Sequence, residues 1–205
     1  MEGIMSSFMQ ELAEQRWDDH RYYHHSRINQ SLHFLSSMCF VVMYVLLFTK
    51  PVAAVLLGWL VGMGARQSGH FFFEPKDYDH ANDASHDHKE AIKVGYNLKR
   101  KVILHSVWAL STLVLIVDKT FFGIFEAHQD FSGFVDHLAK IWLAIGVGAL
   151  LFRGVHLFFL RNLQTGLVWM TKIVTDPFND IKLYHKAPLF LLRGELYDNQ
   201  PKGAL

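Results

Sequence analysis

Four apolar blocks, each near the length a lipid bilayer demands, constrain this chain more than any other feature. A helix needs roughly 20 residues to cross the hydrocarbon core. The blocks run at about 32–49, 52–73, 102–117 and 141–160. The first stops at Lys50-Pro51, since proline cannot continue a helix. The third meets Asp118 and Lys119. Charge inside a span is costly, yet Arg66 and Arg153 each lie toward one end of a block, where a long side chain reaches polar surroundings. A soluble helical bundle is the alternative, and four such blocks in 205 residues argue against it. The expected fold is all-α: a polytopic membrane bundle of four transmembrane helices, one membrane domain over 1–205.

Lys and Arg set the expected orientation. Arg16, Arg21 and Arg27 precede the first block. Lys76, Lys89, Lys93, Lys99, Arg100 and Lys101 lie between the second and third. Arg161, Lys172, Lys182, Lys186 and Arg193 follow the fourth. The other two connections hold few cations, and the longer one is acidic, with Glu126, Asp130 and Asp136. The basic segments, and with them both termini, are therefore expected in the cytoplasm. That suits a bacterial inner membrane, with the endoplasmic reticulum as the alternative. Glu2, Glu11 and Glu14 without an early apolar core do not read as a signal peptide. A net charge of +1 points away from nucleic acid. The lone Cys39 excludes a disulfide within the chain and reads as a buried thiol. No phosphate-binding glycine loop or G-x-S-x-G elbow is present. The segment 163–205 is expected at the membrane surface, with an amphipathic helix over 163–173 and a turn at Asp176-Pro177-Phe178-Asn179-Asp180.

Thirteen histidines are the compositional anomaly, and the topology gathers most of them on one side. His20, His24, His25 and His33 precede or open the first span. His70 closes the second, and His80, His86 and His88 follow it. His105 opens the third, and His156 lies one turn before the end of the fourth. His128 and His137 belong to the far side. Each span thus brings histidine to the same boundary, beside the histidine-rich segments 20–33 and 70–105.

Imidazole ligates iron, zinc and copper and is largely neutral near pH 7. His20 and His24 share a helix face, four residues apart, and His70 stands in the same relation to Glu74. His86-Asp87-His88 offers donors on alternate loop residues. Each motif alone fits a structural histidine equally well. Their convergence on one layer is what points to metal. Glycines at 58, 62 and 64, and at 146 and 148, read as sites of close helix packing.

Tyr23-His24-x4-Asn29-x3-His33, followed after a two-span hairpin by Gly69-His70-x3-Glu74, resembles the membrane family that includes the fungal 2-hydroxy-fatty-acid dioxygenase. The resemblance covers roughly the first third of the chain. It implies a small polytopic protein with histidine-bound Fe(II) that shortens 2-hydroxy fatty acids by one carbon, and it matches His24, His33 and His70 to the family's histidines, with Asn29 and Glu74 as companions. This chain lacks a proline after the first histidine pair, and its segment 76–101 is long and histidine-rich.

The expected function is an iron membrane oxygenase acting on a lipid or fatty acid with O2. The preferred metal ligands are His24, His33, His70 and one of His86 or His88. His20, His25, Glu74, His105 and His156 follow as ligands of a second ion or as orienting groups. The iron is mono- or dinuclear by this count. Arg66, Lys99 or Arg153 would receive the substrate's polar head. A metal carrier or sensor is the rival, although it would need a polar path across apolar midplanes. A structural bundle explains the basic loops but not the histidine layer.

Overall fold

The computed structural model describes residues 2–198 apart from 75 and 81, with side chains from Ser7 onward. The last part of the expected surface segment, 199–205, lies outside the described residues. Those residues form helices and no β-strand; the only ladder-like contacts are the bridges Ser26–Tyr197 and Asp79–Ala84. The helices are α1 (Glu2–Tyr23), α2 (Arg27–Leu46), α3 (Pro51–Leu56), α4 (Gly64–Phe72), α5 (His86–Ile92), α6 (Leu98–Val117), α7 (Phe131–Leu160), α8 (Leu163–Tyr184) and α9 (Ala187–Leu192). A π-helical run, Leu57–Met63, joins α3 to α4.

Helix starts are written in the sequence as polar caps. Ser26, Ser85, Asn97, Asp130 and Asn162 each accept a hydrogen bond from the backbone N–H three residues on, satisfying a donor at the helix start. Helices α2, α6 and α7 are long and apolar enough to cross a membrane, by length and composition. The expected second span is different in kind. Residues 51–72 are helical throughout but change register, from α to π and back, where Gly58 and Gly62 press on α2 and where Arg66, Gln67 and Ser68 dilute the apolar run. Such π insertions recur at functional sites, because they re-aim the residues beyond them.

Helix α2 and the 51–72 run form an antiparallel hairpin turning at Lys50-Pro51. Gly58 faces Met43, Gly62 faces Cys39, and Gly69 faces Asn29 and His33. That register carries His70 back to the end of α2 where His33 lies. Most outward side chains of α6 and α7 are apolar, including Ile103, Leu110, Leu113, Leu151 and Phe152, as a lipid-facing surface requires.

The C-terminal third corrects an expectation. No turn occurs at Asp176-Pro177; α8 runs unbroken through Pro177 and packs against α1, α2 and α7. Its polar side faces protein rather than water: Lys172, Asp176, Asp180 and Tyr184 recur every four residues, and all are buried. Lys172 bridges Asp19 of α1 and Asp176, and Arg16 adds a 3.2 Å contact to Asp176. Pro177 removes one donor from the ladder and crowds the carbonyl four residues back, and the buried ion pairs on this face offset that local cost.

Candidate metal centre

The chain between α1 and α2 is held by side chains from the start of α2. Asn29 Nδ2 donates to the Tyr23 carbonyl at 2.7 Å, and Gln30 Nε2 donates to the His24 carbonyl at 2.8 Å. Those bonds fix the backbone that carries His24, which is why an asparagine follows Tyr23-His24 at this spacing. On the facing run, a methyl group at Gly69 would overlap Asn29 Oδ1. Glycine there lets α4 approach α2 closely, and His70 follows it.

The result is a cluster of three imidazoles. One ligating nitrogen each from His24, His33 and His70 lies within 4.8 Å of the others. Ring centroids are separated by 4.1 Å for His24–His33, 4.9 Å for His33–His70 and 5.4 Å for His24–His70. His33 is fully buried, His24 nearly so, and His70 keeps about a tenth of its side chain exposed. His24 Nε2 and both ring nitrogens of His33 have no hydrogen-bond partner among the described residues. Buried nitrogens are rarely left so, because an unsatisfied polar atom in a dry interior is costly. Three imidazoles turned toward one point, with lone pairs unspent, fit a divalent transition metal.

His70 and His24 each have a hydrogen-bond partner on the far side of the ring, and His33 has a carboxylate nearby. Glu74 Oε2 accepts from His70 Nδ1 at 2.8 Å. Tyr184 Oη lies 3.1 Å from His24 Nδ1 and 3.2 Å from His20 Nδ1. Asp180 Oδ2 stands 3.6 Å from His33 Nδ1 and is anchored by Arg66 Nη2 at 2.5 Å. A partner at one ring nitrogen selects the tautomer and leaves the other nitrogen's lone pair for metal. Tyr184 has one hydroxyl hydrogen. With Nε2 of His24 as the ligating atom, its Nδ1–H donates to Tyr184, and Tyr184 donates in turn to His20. Burial holds the His24 ring well below the usual imidazole range, so it stays neutral and able to ligate. Burial raises the Glu74 carboxyl above its ordinary range, against the pull of Lys93 and Lys101.

The other expected site residues fall elsewhere. His86 is half-buried and lines a cavity with His70 and Glu74, outside the three-histidine group. His88 is exposed, its backbone N–H bonded to Ser85. His20 borders the site through Tyr184, whereas His25 turns to Asn82 and Asp79. His105 Nδ1 bonds the Lys101 carbonyl, and His156 Nδ1 pairs with Arg153. Of the three expected head-group cations, Arg66 is engaged by Asp180, Arg153 is buried against the Val94 carbonyl, and Lys99 is exposed. The sequence places Lys182-Leu183-Tyr184-His185-Lys186 beneath the bundle, over a site, and Tyr184 does lie at the cluster, whereas Asp180 is expected only in a turn. The four-residue recurrence of Lys172, Asp176, Asp180 and Tyr184 was the available signal.

The three histidines, their spacing and Glu74 all lie within one segment of the chain. Residues 9–78 match the Mpo1-like family, described as 2-hydroxy-palmitic acid dioxygenase Mpo1-like. The Mpo1-like segment comprises most of α1, then α2 and the 51–72 run, together with all three clustered histidines. Asp180 and Tyr184 lie outside it. No curated protein and no solved structure matches the chain.

Proposed function

We propose that this chain is a four-span membrane oxygenase whose histidine centre holds Fe(II) and shortens a 2-hydroxy fatty acid by one carbon with O2. The observation that carries the reading is the three-imidazole cluster, oriented by Glu74, Asp180 and Tyr184 and contained within the Mpo1-like segment. His24, His33 and His70 hold the metal. Iron bound there supplies the redox chemistry that lets O2 react with the chain next to its carboxylate.

The overall reaction balances with O2 alone. The bond between C1 and C2 breaks, C1 leaves as CO2, and C2 becomes the new carboxyl carbon. Four electrons leave the two carbons, and O2 takes them up with formation of one water. The protein's own tasks are then holding and shielding. Glu74, Tyr184 and Asp180 keep the three rings in ligating tautomers, and Arg66 keeps Asp180 in place. Helices α2, α4 and α8 close around His33 and exclude water. In this reading the 51–72 run is the fourth crossing and the centre lies at the cytoplasmic boundary, where an amphiphile's head meets it; the grouping of basic segments supports that side.

The test is to incubate reduced, iron-loaded protein with 2-hydroxypalmitate under air and analyse the lipid by mass spectrometry. The expected product is the acid one carbon shorter, with matching O2 uptake. Uptake with another lipid and none with 2-hydroxy acids would retain the oxygenase and discard the substrate. No uptake across a broad lipid panel, from protein shown to hold Fe(II), would favour a carrier or sensor.

A further inference from the structure

Beside the histidine cluster lies a small open-sided cavity lined by His70, Glu74, Lys76, Glu90, Lys93 and Lys101. Three lysines thus stand against two glutamates, and most of these charges are accounted for. Glu74 is bound to His70. Glu90 accepts from the Leu98 backbone N–H at 2.6 Å and lies 3.9 Å from Lys93. Lys93 also rests on the Tyr23 ring, 3.4 Å from its centroid. Lys76 is exposed. Lys101 is different: it is 8% exposed, and no carboxylate lies within ion-pair distance among the described residues. Glu74 and Glu90 line the same cavity but neither reaches Lys101 directly, so an anion placed there would give its buried amine a direct partner.

We propose that Lys101 is the residue that receives the substrate's carboxylate, and that it, rather than Arg66, Lys99 or Arg153, sets the preference for an acid. The inference rests on the oxygenase reading for the identity of the acid, a long-chain 2-hydroxy carboxylate, but not for the site itself. One side of the cavity is His70, so a carboxylate on Lys101 lies next to the metal-holding ring. Lys101 is in the first turn of α6, at the boundary of a membrane-crossing helix, where a head group and its chain part company. Next to it Val102 and Ile103 are exposed, as is Phe72 beside Phe71 on α4, which gives the hydrocarbon chain an apolar surface at the same level.

The test compares binding of 2-hydroxypalmitate and its uncharged methyl ester to detergent-purified, metal-loaded protein without O2, so no turnover is needed. The wild-type protein should prefer the acid by about tenfold or more, the scale of one charge-assisted hydrogen bond. Lys101→Met should abolish that preference while iron content stays native, and Lys101→Arg should restore most of it. Equal preference in wild type and Lys101→Met overturns the proposal, as does no preference in the wild type. Because Lys101→Met could misfold, lysine footprinting of the wild-type protein by reductive methylation supplies an independent readout. The acid, and not the ester, should protect Lys101. Equal labelling of Lys101 with both ligands overturns the proposal. An acid preference that depends on Lys101, in protein that consumes no O2, would retain the anion site and discard the oxygenase. O2-dependent shortening with no role for Lys101 would do the reverse.

Discussion

Among the described residues His33 has no solvent contact and no hydrogen-bond partner at either ring nitrogen, and a metal ion at the cluster would satisfy it. Replacing His33 or His70 by Ala removes a nitrogen donor from the cluster. On the proposed reading each variant loses most of its metal, read by metal analysis of the purified protein, and full occupancy in both would discard the assignment. The orienting groups act more weakly. Tyr184→Phe or Asp180→Asn should lower metal affinity by about 10–100-fold, measured by competition with a chelator, while the helical content is retained. Burial also lowers the affinity of His20 for a proton. In the unfolded chain this ring protonates near pH 6.5, and in the folded protein only at lower pH. Below pH 6.5 the unfolded state therefore binds more protons, so acidification favours unfolding. The contribution is fully present above that pH and is lost as the pH falls. Metal-free protein should show a drop in melting temperature as the pH is lowered through 6.5, and the drop should be smaller in His20→Gln. Identical pH profiles for the two would remove His20 from this account.

At the scale of elements, two contacts between helices bring the cluster together. Gly69 lets α4 lie against Asn29 of α2, and Gly69→Ala should push His70 away and reduce iron content with little change in helicity by circular dichroism. Helix α8 is docked by Lys172, which bridges Asp19 and Asp176 in a buried network. Lys172→Met leaves the buried Asp176 carboxylate with Arg16 alone and should destabilise the protein by about 3 kcal/mol, seen as a lower melting temperature. An unchanged melting temperature would remove Lys172 from the contacts that dock α8. The apolar blocks and their caps were readable as helices, because hydropathy and capping are local. The course of α8 through Pro177 was not, because the proline's local penalty is offset by a face of contacts contributed from distant parts of the chain.

For the whole molecule, the arrangement of basic segments predicts one sidedness. Reporter fusions after Lys50 and within 126–136 should score outside, and fusions after Lys89 and Lys186 inside. Fusions after Lys89 and Lys186 scoring on opposite sides would mean an odd number of crossings between them, and the span count would be wrong. Leu205, where the C-terminus was expected inside, lies outside the described residues.

From residue order alone follow an all-helical chain, its apolar blocks, and a layer of histidines with His70 one turn from Glu74; the resemblance to a known family is what singles out His24, His33 and His70. Period and spacing are short-range properties. Residue order also offered more histidines than the cluster contains. His86, His88, His105 and His156 share its level along the chain, and depth is all that hydropathy can report. Which of them meet depends on helix rotation and on the register of α2 against the 51–72 run, set by Gly58, Gly62 and Gly69. Asp180 and Tyr184 enter from more than a hundred residues away, and the cavity at Lys101 exists because α6 begins beside the end of α4. Those are consequences of packing, in which side chains distant in sequence compete for the same space; the four-residue polar recurrence on α8 marks a face but not what that face meets.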